Sequence, residues 1–250
     1  MSTRPWALIT GASSGLGAEY ARQLAASGHN LIVVSRDAAR LQELARTIES
    51  NFGVEVEILA ADLHRPADVS TVAASLADPV RAVRVLVNNA GYGIGGHLAV
   101  SDADAERDHL AIHVSVPLDL TKAALPGMLE RGSGRIVFVS SVAGYLSRGT
   151  YSAHKAWGLT MARSLNATYR TRGVHVSAVA PGFTRTEFHQ RMNMDISMFP
   201  EFMWLQAPHV VRASLTAVER GRAVTIPSLR YKMLVALAAV LPKKLHQAGA

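Results

Sequence analysis

Tyr151 and Lys155 stand four residues apart in Tyr151-Ser152-Ala153-His154-Lys155. On a helix that spacing is about one turn, so both side chains share a face. An ammonium beside a phenol favours the phenolate and lowers the tyrosine's pKa. A free tyrosine titrates near ~10, too high for easy proton exchange at neutral pH. A lowered one can give a proton to a carbonyl oxygen or take one from an alcohol. Ser141, at the end of an apolar strand-like run, can hold that same oxygen. Tyrosine and lysine at this spacing also occur on helices that do no chemistry. The pair therefore needs a redox partner, and the rest of the chain must position it.

Short aliphatic runs alternate with longer amphipathic ones. Strands are predicted over Trp6 to Thr10, Asn30 to Ser35, Val54 to Ala60, Val83 to Val87, Gly134 to Ser140, Val174 to Ala180 and Ala223 to Ile226. Helices are predicted between them, including Leu16 to Ser27, one that Asp37 caps, and Pro66 to Ala77, with its proline in the first turn. One long helix is predicted from about Asp104 to Leu129, and another opens at Tyr151. Strands aliphatic throughout, with helices between, imply a parallel sheet covered on both faces. Right-handed crossovers make it a doubly wound α/β fold.

The turn after the first strand is Thr10-Gly11-Ala12-Ser13-Ser14-Gly15-Leu16-Gly17. Glycines between a strand and a helix let a phosphate approach the helix amides. The spacing differs from the usual G-x-G-x-x-G fingerprint, and a merely structural tight turn is the alternative.

Thr10-Gly11-x-x-x-Gly15-x-Gly17, Asn88-Asn89-Ala90-Gly91, Ser141, Tyr151-x-x-x-Lys155 and Pro181-Gly182-x-x-x-Thr186 resemble, in order, the motifs of the short-chain dehydrogenase/reductase family. The resemblance covers about residues 6 to 186. It implies one Rossmann-type domain over 1–250 with about seven parallel strands, in which 187–250 supply a substrate lid, the last strand and a tail. It also implies nicotinamide-dependent oxidation or reduction of an alcohol/carbonyl pair.

The family's roles carry over as follows. Tyr151 is the general acid or base, Ser141 polarises the substrate oxygen, and Lys155 lowers the tyrosine's pKa and bonds the nicotinamide ribose. Gly11, Ser13, Ser14, Gly15, Leu16 and Gly17 cradle the cofactor, with Asn89, Ala90 and Gly91 close by. Asp62 and Leu63 resemble the adenine-contacting pair, although Asp62 can instead cap the next helix. Pro181, Gly182, Thr184 and Thr186 belong to the loop that holds the carboxamide. Ser35 stands where NAD-preferring members carry aspartate, and Arg36 follows it, so NADP is expected over NAD. The plain alternative for Arg36 is a solvated loop residue.

Two departures stand out. His113 occupies the place of an asparagine that helps hold a water beside the lysine, in a proton relay to solvent. Histidine both donates and accepts and titrates near neutrality, so it can keep that relay. A buried structural histidine is the other reading. Ser141 also lies only ten residues before Tyr151, fewer than the family usually shows, which reshapes the pocket wall over Gly144 to Thr150.

Composition narrows the remaining classes. There are no cysteines, which excludes disulfides and thiolate chemistry and argues against zinc. The net charge is +7, but the basic residues are scattered without interleaved aromatics, so no nucleic-acid partner is expected. There is no secretory signal and no apolar run of the ~18 to 20 residues that spans a bilayer, so a cytoplasmic location is expected. Residues 187–206 are rich in methionine and aromatics (Phe188, Met192, Met194, Ile196, Met198, Phe199, Phe202, Met203 and Trp204). Such soft side chains suit a bulky apolar ligand, though they also suit ordinary packing. The apolar tail over 231–244 can cover the pocket, pair with another subunit or touch an acidic membrane surface. The expected protein is an NADPH-dependent reductase of an apolar or lipid-like ketone, 3-oxoacyl or steroid-like, acting as a homodimer or homotetramer. The alternatives are a reductase of small xenobiotic carbonyls and a non-catalytic NADP-binding sensor or scaffold.

Overall fold

Valine, isoleucine and leucine dominate the runs that become strands, because side chains on both faces of the sheet are buried. A computed structural model describes residues 4–94, 97–188 and 200–240. Its strands are β1 (Trp6–Thr10), β2 (Asn30–Ser35), β3 (Val56–Ala60), β4 (Val83–Asn88), β5 (Gly134–Val139), β6 (Val174–Val179) and β7 (Val224–Thr225). They form one sheet of order β3-β2-β1-β4-β5-β6-β7, and every pairing is parallel. This is a Rossmann-like arrangement. Strand order reverses between β1 and β4, and the crevice at their carboxyl ends is where such sheets bind ligands.

The helices are α1 (Gly15–Ala26), α2 (Ala38–Phe52), α3 (Pro66–Ala77), α4 (Ala103–Leu110), α5 (Val116–Glu130), α6 (Gly149–Tyr169), α7 (Ala207–Glu219) and α8 (Leu229–Val240). Alternate strand residues feed two cores. Ile9, Val33 and Val87 pack with Leu24 of α1, Leu41 of α2 and Val210 of α7. Leu8, Ile32 and Leu86 pack on the other face with Leu120 of α5 and Leu159 of α6. Among the described residues no helix is long and apolar enough to cross a membrane.

The long helix expected from Asp104 to Leu129 is interrupted. Residues Ala111–Ser115 form a π turn between α4 and α5, in which the Val116 amide bonds back to the Ala111 carbonyl. Pro117 lies just beyond, and a proline has no amide with which to bond the carbonyl four residues earlier, that of His113. A π turn accommodates such a break and re-aims its side chains. His113 sits in its middle.

Candidate active site

The glycine turn is assembled by Asn89. Its Nδ2 donates to the carbonyls of Thr10 (2.8 Å) and Gly11 (3.2 Å). In return the Thr10 hydroxyl accepts from the Asn89 and Ala90 amides, both at 3.0 Å. These bonds tie the ends of β1 and β4 together. A Cβ at Gly17 would lie 2.1 Å from the Gly11 carbonyl oxygen and 2.6 Å from Asn89 Nδ2, so only glycine fits there. Ser13, Ser14 and Leu16 line the same turn, half-buried. The N-cap residue Ser14 makes no side-chain cap bond. Amides in the first turn of a helix, with its dipole, can hold an anion such as a dinucleotide's pyrophosphate. Thr186 packs against Gly15, which brings the 181–186 loop over the turn.

At the far end of the crevice, Ser35 ends β2 and Arg36 follows it. Asp37 is occupied as the cap of α2, its Oδ1 accepting from the Arg40 amide at 3.0 Å. Arg36 is exposed and forms no ion pair or hydrogen bond among the described residues, which fits a group waiting for an anionic partner. Asp62 does not cap α3, whose cap position is Arg65. Its Oδ1 instead accepts from the His64 amide (3.1 Å) and lies 3.0 Å from His64 Nδ1. Those two bonds hold its carboxyl below the usual range. Leu63 is buried beside it.

Ser141 and Tyr151 come together at the end of β5. Ser141 begins a 3-10 turn (Val142–Tyr145), its Oγ accepting from the Ala143 amide at 3.1 Å. That turn brings the chain directly into α6, which is how the short connection still returns Tyr151 to Ser141. Burial pushes the phenol up to about 12, and a hydrogen bond with Ser141 pulls against that shift. The expected lowering by Lys155 is not what the structure shows. Lys155 Nζ lies 5.6 Å from the Tyr151 ring centre and donates to the Val139 carbonyl at 2.9 Å. Burial lowers the lysine itself to about 7. Ser140 points elsewhere, its hydroxyl donating to the Lys155 carbonyl at 2.7 Å.

His113 is buried with its ring against Gly91. A Cβ on Gly91 would lie 2.3 Å from His113 Cε1. His113 Nε2 lies 2.7 Å from the Tyr92 carbonyl, and its ring centre lies 5.8 Å from that of Tyr151. Two further histidines join it that motif reading did not single out. His109 Nε2 lies 3.2 Å from the same Tyr92 carbonyl, and His109 Nδ1 lies 2.9 Å from His154 Nδ1. Burial first, and the neighbouring positive groups, hold His113 well below its ordinary pKa and His109 at about 4. Their sequence signal was present: His109 and His113 are one helical turn apart, and His154 is three residues after Tyr151. It was hidden because nothing local places α4 beside α6.

Thr184 is buried, its hydroxyl donating to the Gly182 carbonyl at 3.0 Å, and the Pro181 carbonyl accepts from the Val142 amide at 3.0 Å. Tyr231 of α8 fixes this loop, its hydroxyl accepting from the Phe183 amide (3.1 Å) and donating to the Met203 carbonyl (2.9 Å). Phe188 stands 6.3 Å from Tyr151, ring centre to ring centre. Met192, Met194, Ile196, Met198 and Phe199, and the tail beyond 240, lie outside the described residues.

A model of the family described as short chain dehydrogenase matches residues 5–197. An uncharacterized oxidoreductase of Mycobacterium tuberculosis is 32% identical, with 97% of this chain and 96% of that protein covered. A short-chain dehydrogenase from Sphingobium yanoikuyae, solved in complex with NADPH, is 35% identical with a TM-score of 0.85 and 98% of each chain covered. The bulky-bulky ketone specific alcohol dehydrogenase from Comamonas testosteroni is 32% identical with a TM-score of 0.82, covering 100% of this chain and 98% of that one.

Proposed function

This chain belongs to the short-chain dehydrogenase family of oxidoreductases, and we propose that within it the protein reduces bulky apolar ketones with NADPH. The observation that carries this reading is the meeting of Ser141 and Tyr151, with Lys155 buried one helical turn on, at the carboxyl edge of the sheet. When bound, the dihydronicotinamide supplies the hydride. The Gly11 to Gly17 turn and the amides of α1 hold its pyrophosphate, Arg36 and Ser35 take the 2′-phosphate, and the 181–186 loop takes the carboxamide. Asp62 and Leu63 flank the adenine.

Ser141 holds the ketone oxygen and Tyr151 gives it a proton. A phenol whose pKa burial has raised is protonated at neutral pH, which is the state a reduction needs. The phenolate left behind is stabilised by the nearby Lys155 when that amine is charged. Phe188, its ring centre 6.3 Å from that of Tyr151, gives an apolar wall beside it. That wall supports a bulky ketone, such as a 3-oxoacyl chain or a steroid-like compound. The full-length likeness to a bulky-ketone dehydrogenase points the same way.

The test is a fluorescence titration with NADPH and with NADH, repeated on Arg36→Ala, followed by turnover on bulky and small ketones. Tight NADPH binding that Arg36→Ala weakens, with turnover favouring bulky ketones, is expected. Preference for NADH, or for small carbonyls, overturns the respective half of the proposal.

A further inference from the structure

Each reduction leaves Tyr151 one proton short, and the buried Lys155 one turn on offers a route by which that proton can return. A cavity of about 20 Å³ lies behind the pair, with Asn88, His113, His154 and Lys155 in its wall. That is room for one water. It is also well supplied with polar partners. Lys155 spends one donor on the Val139 carbonyl and has others left. Asn88 is 6% exposed, and its Oδ1 is buried with no hydrogen-bond partner among the described residues.

The Tyr92 carbonyl assigns the histidine tautomers. A carbonyl oxygen only accepts, so His113 Nε2 and His109 Nε2, at 2.7 and 3.2 Å from it, both carry hydrogen. Both rings are neutral, which leaves their Nδ1 atoms bare. His109 Nδ1 therefore accepts, and His154 Nδ1, 2.9 Å away, donates. His154 is left with a bare Nε2. It is half-buried, so it reaches both the cavity and the exterior. Glu106 stands beside His109 and His154, its carboxylate hydrogen-bonded by Ser101 and Thr150. Its charge favours a transient imidazolium.

We propose that His154 ferries protons between solvent and the Lys155 cavity, and that His109 and the Tyr92 carbonyl position it. This inference rests on the reductase reading. A solvent proton adds to His154 Nε2, and the same nitrogen passes it to a water in the cavity. That water reprotonates Lys155 as Lys155 returns a proton to the Tyr151 oxygen, and His154 ends neutral. The titratable groups around His154 are Glu106 and His109 of α4, His113 of the π turn, Tyr92 after β4, and Tyr151 and Lys155 of α6. His154 fills an unspecified position within Tyr151-x-x-x-Lys155, and His109 lies outside the family motifs.

The test measures steady-state ketone reduction and single-turnover NADPH oxidation in weak buffer for His154→Ala. Steady-state turnover is expected to fall on the order of tenfold, single-turnover oxidation to stay unchanged, and added imidazole to restore the loss. His109→Asn is expected to show a smaller loss of the same kind. Unchanged turnover in His154→Ala, or a loss that imidazole does not restore, overturns the proposal. A second measurement needs no substrate: ¹⁵N ring shifts of the cofactor-free protein should show hydrogen on Nε2 of His109 and His113 and on Nδ1 of His154. The reverse pattern at His154 overturns the proposal. An enzyme that turns over no ketone refutes the reductase reading instead, while the ring shifts still report on the histidine array.

Discussion

Arg40 of α2 grips Glu187, after β6, through both carboxylate oxygens, at 2.8 and 3.1 Å. The pair joins two segments that both follow carboxyl ends of strands, on the side where Arg36 waits. Glu187 and Asp37 together hold the Arg40 charge away from any incoming anion. Glu187→Gln is therefore expected to tighten NADPH binding at low ionic strength, and added salt should erase the gain. A calorimetric titration showing unchanged or weaker binding in the variant would refute this.

Ser140 and Ser141 separate by function. Ser140 is buried and satisfies the Lys155 carbonyl. Ser140→Ala should cost about 1 kcal/mol in urea unfolding, by removing a buried hydrogen bond, while leaving most of the turnover. Ser141→Ala should also cost about 1 kcal/mol, by losing its cap on the Ala143 amide, but reduce turnover on the order of a hundredfold. If the two variants exchange these phenotypes, Ser140 is the residue that touches the substrate.

Gly91 is where a methyl group tests the placement of His113. An added Cβ would meet the buried imidazole at 2.3 Å. Gly91→Ala should destabilise the fold by about 1–3 kcal/mol through overpacking. The smaller side chain of His113→Asn should recover part of that loss in the double variant. Additive losses in the unfolding cycle would show that the two sites do not touch.

Lys155 makes stability depend on pH with a definite sign. Its folded pKa is about 7, below its ordinary 10.5, because burial disfavours the ammonium. Well below pH 7 both folded and unfolded lysine are charged, and the full burial penalty acts. Between about 7 and 10.5 the folded lysine is neutral while the unfolded one still binds a proton, so stability rises with pH. Lys155→Met removes the penalty. It should be the more stable protein at pH 6, by an amount on the order of a few kcal/mol, with the difference shrinking as pH rises and turnover lost throughout. A gap between the two melting curves that stays constant from pH 6 to pH 10 would sink this assignment.

The sequence by itself determined the sheet and the family. Strand aliphatics such as Leu31 to Val34 can be buried only in a two-sided parallel sheet, and glycines at 11, 15 and 17 have a local steric reason to be where they are. The cap role of Asp37 was legible for the same reason, since capping acts within one turn. Tertiary structure decided what depends on neighbours far along the chain. It set the π turn at His113, where a proline four residues on removes an amide. It assigned Asp62 to His64 rather than to α3, and Ser140 to the Lys155 carbonyl. It also converted the expected depression of Tyr151 into a rise, because desolvation depends on everything packed around a group, and helical spacing reports only its nearest neighbours. The histidine array is the plainest case. His109 and His154 are 45 residues apart, and only the packing of α4 against α6 brings their rings together.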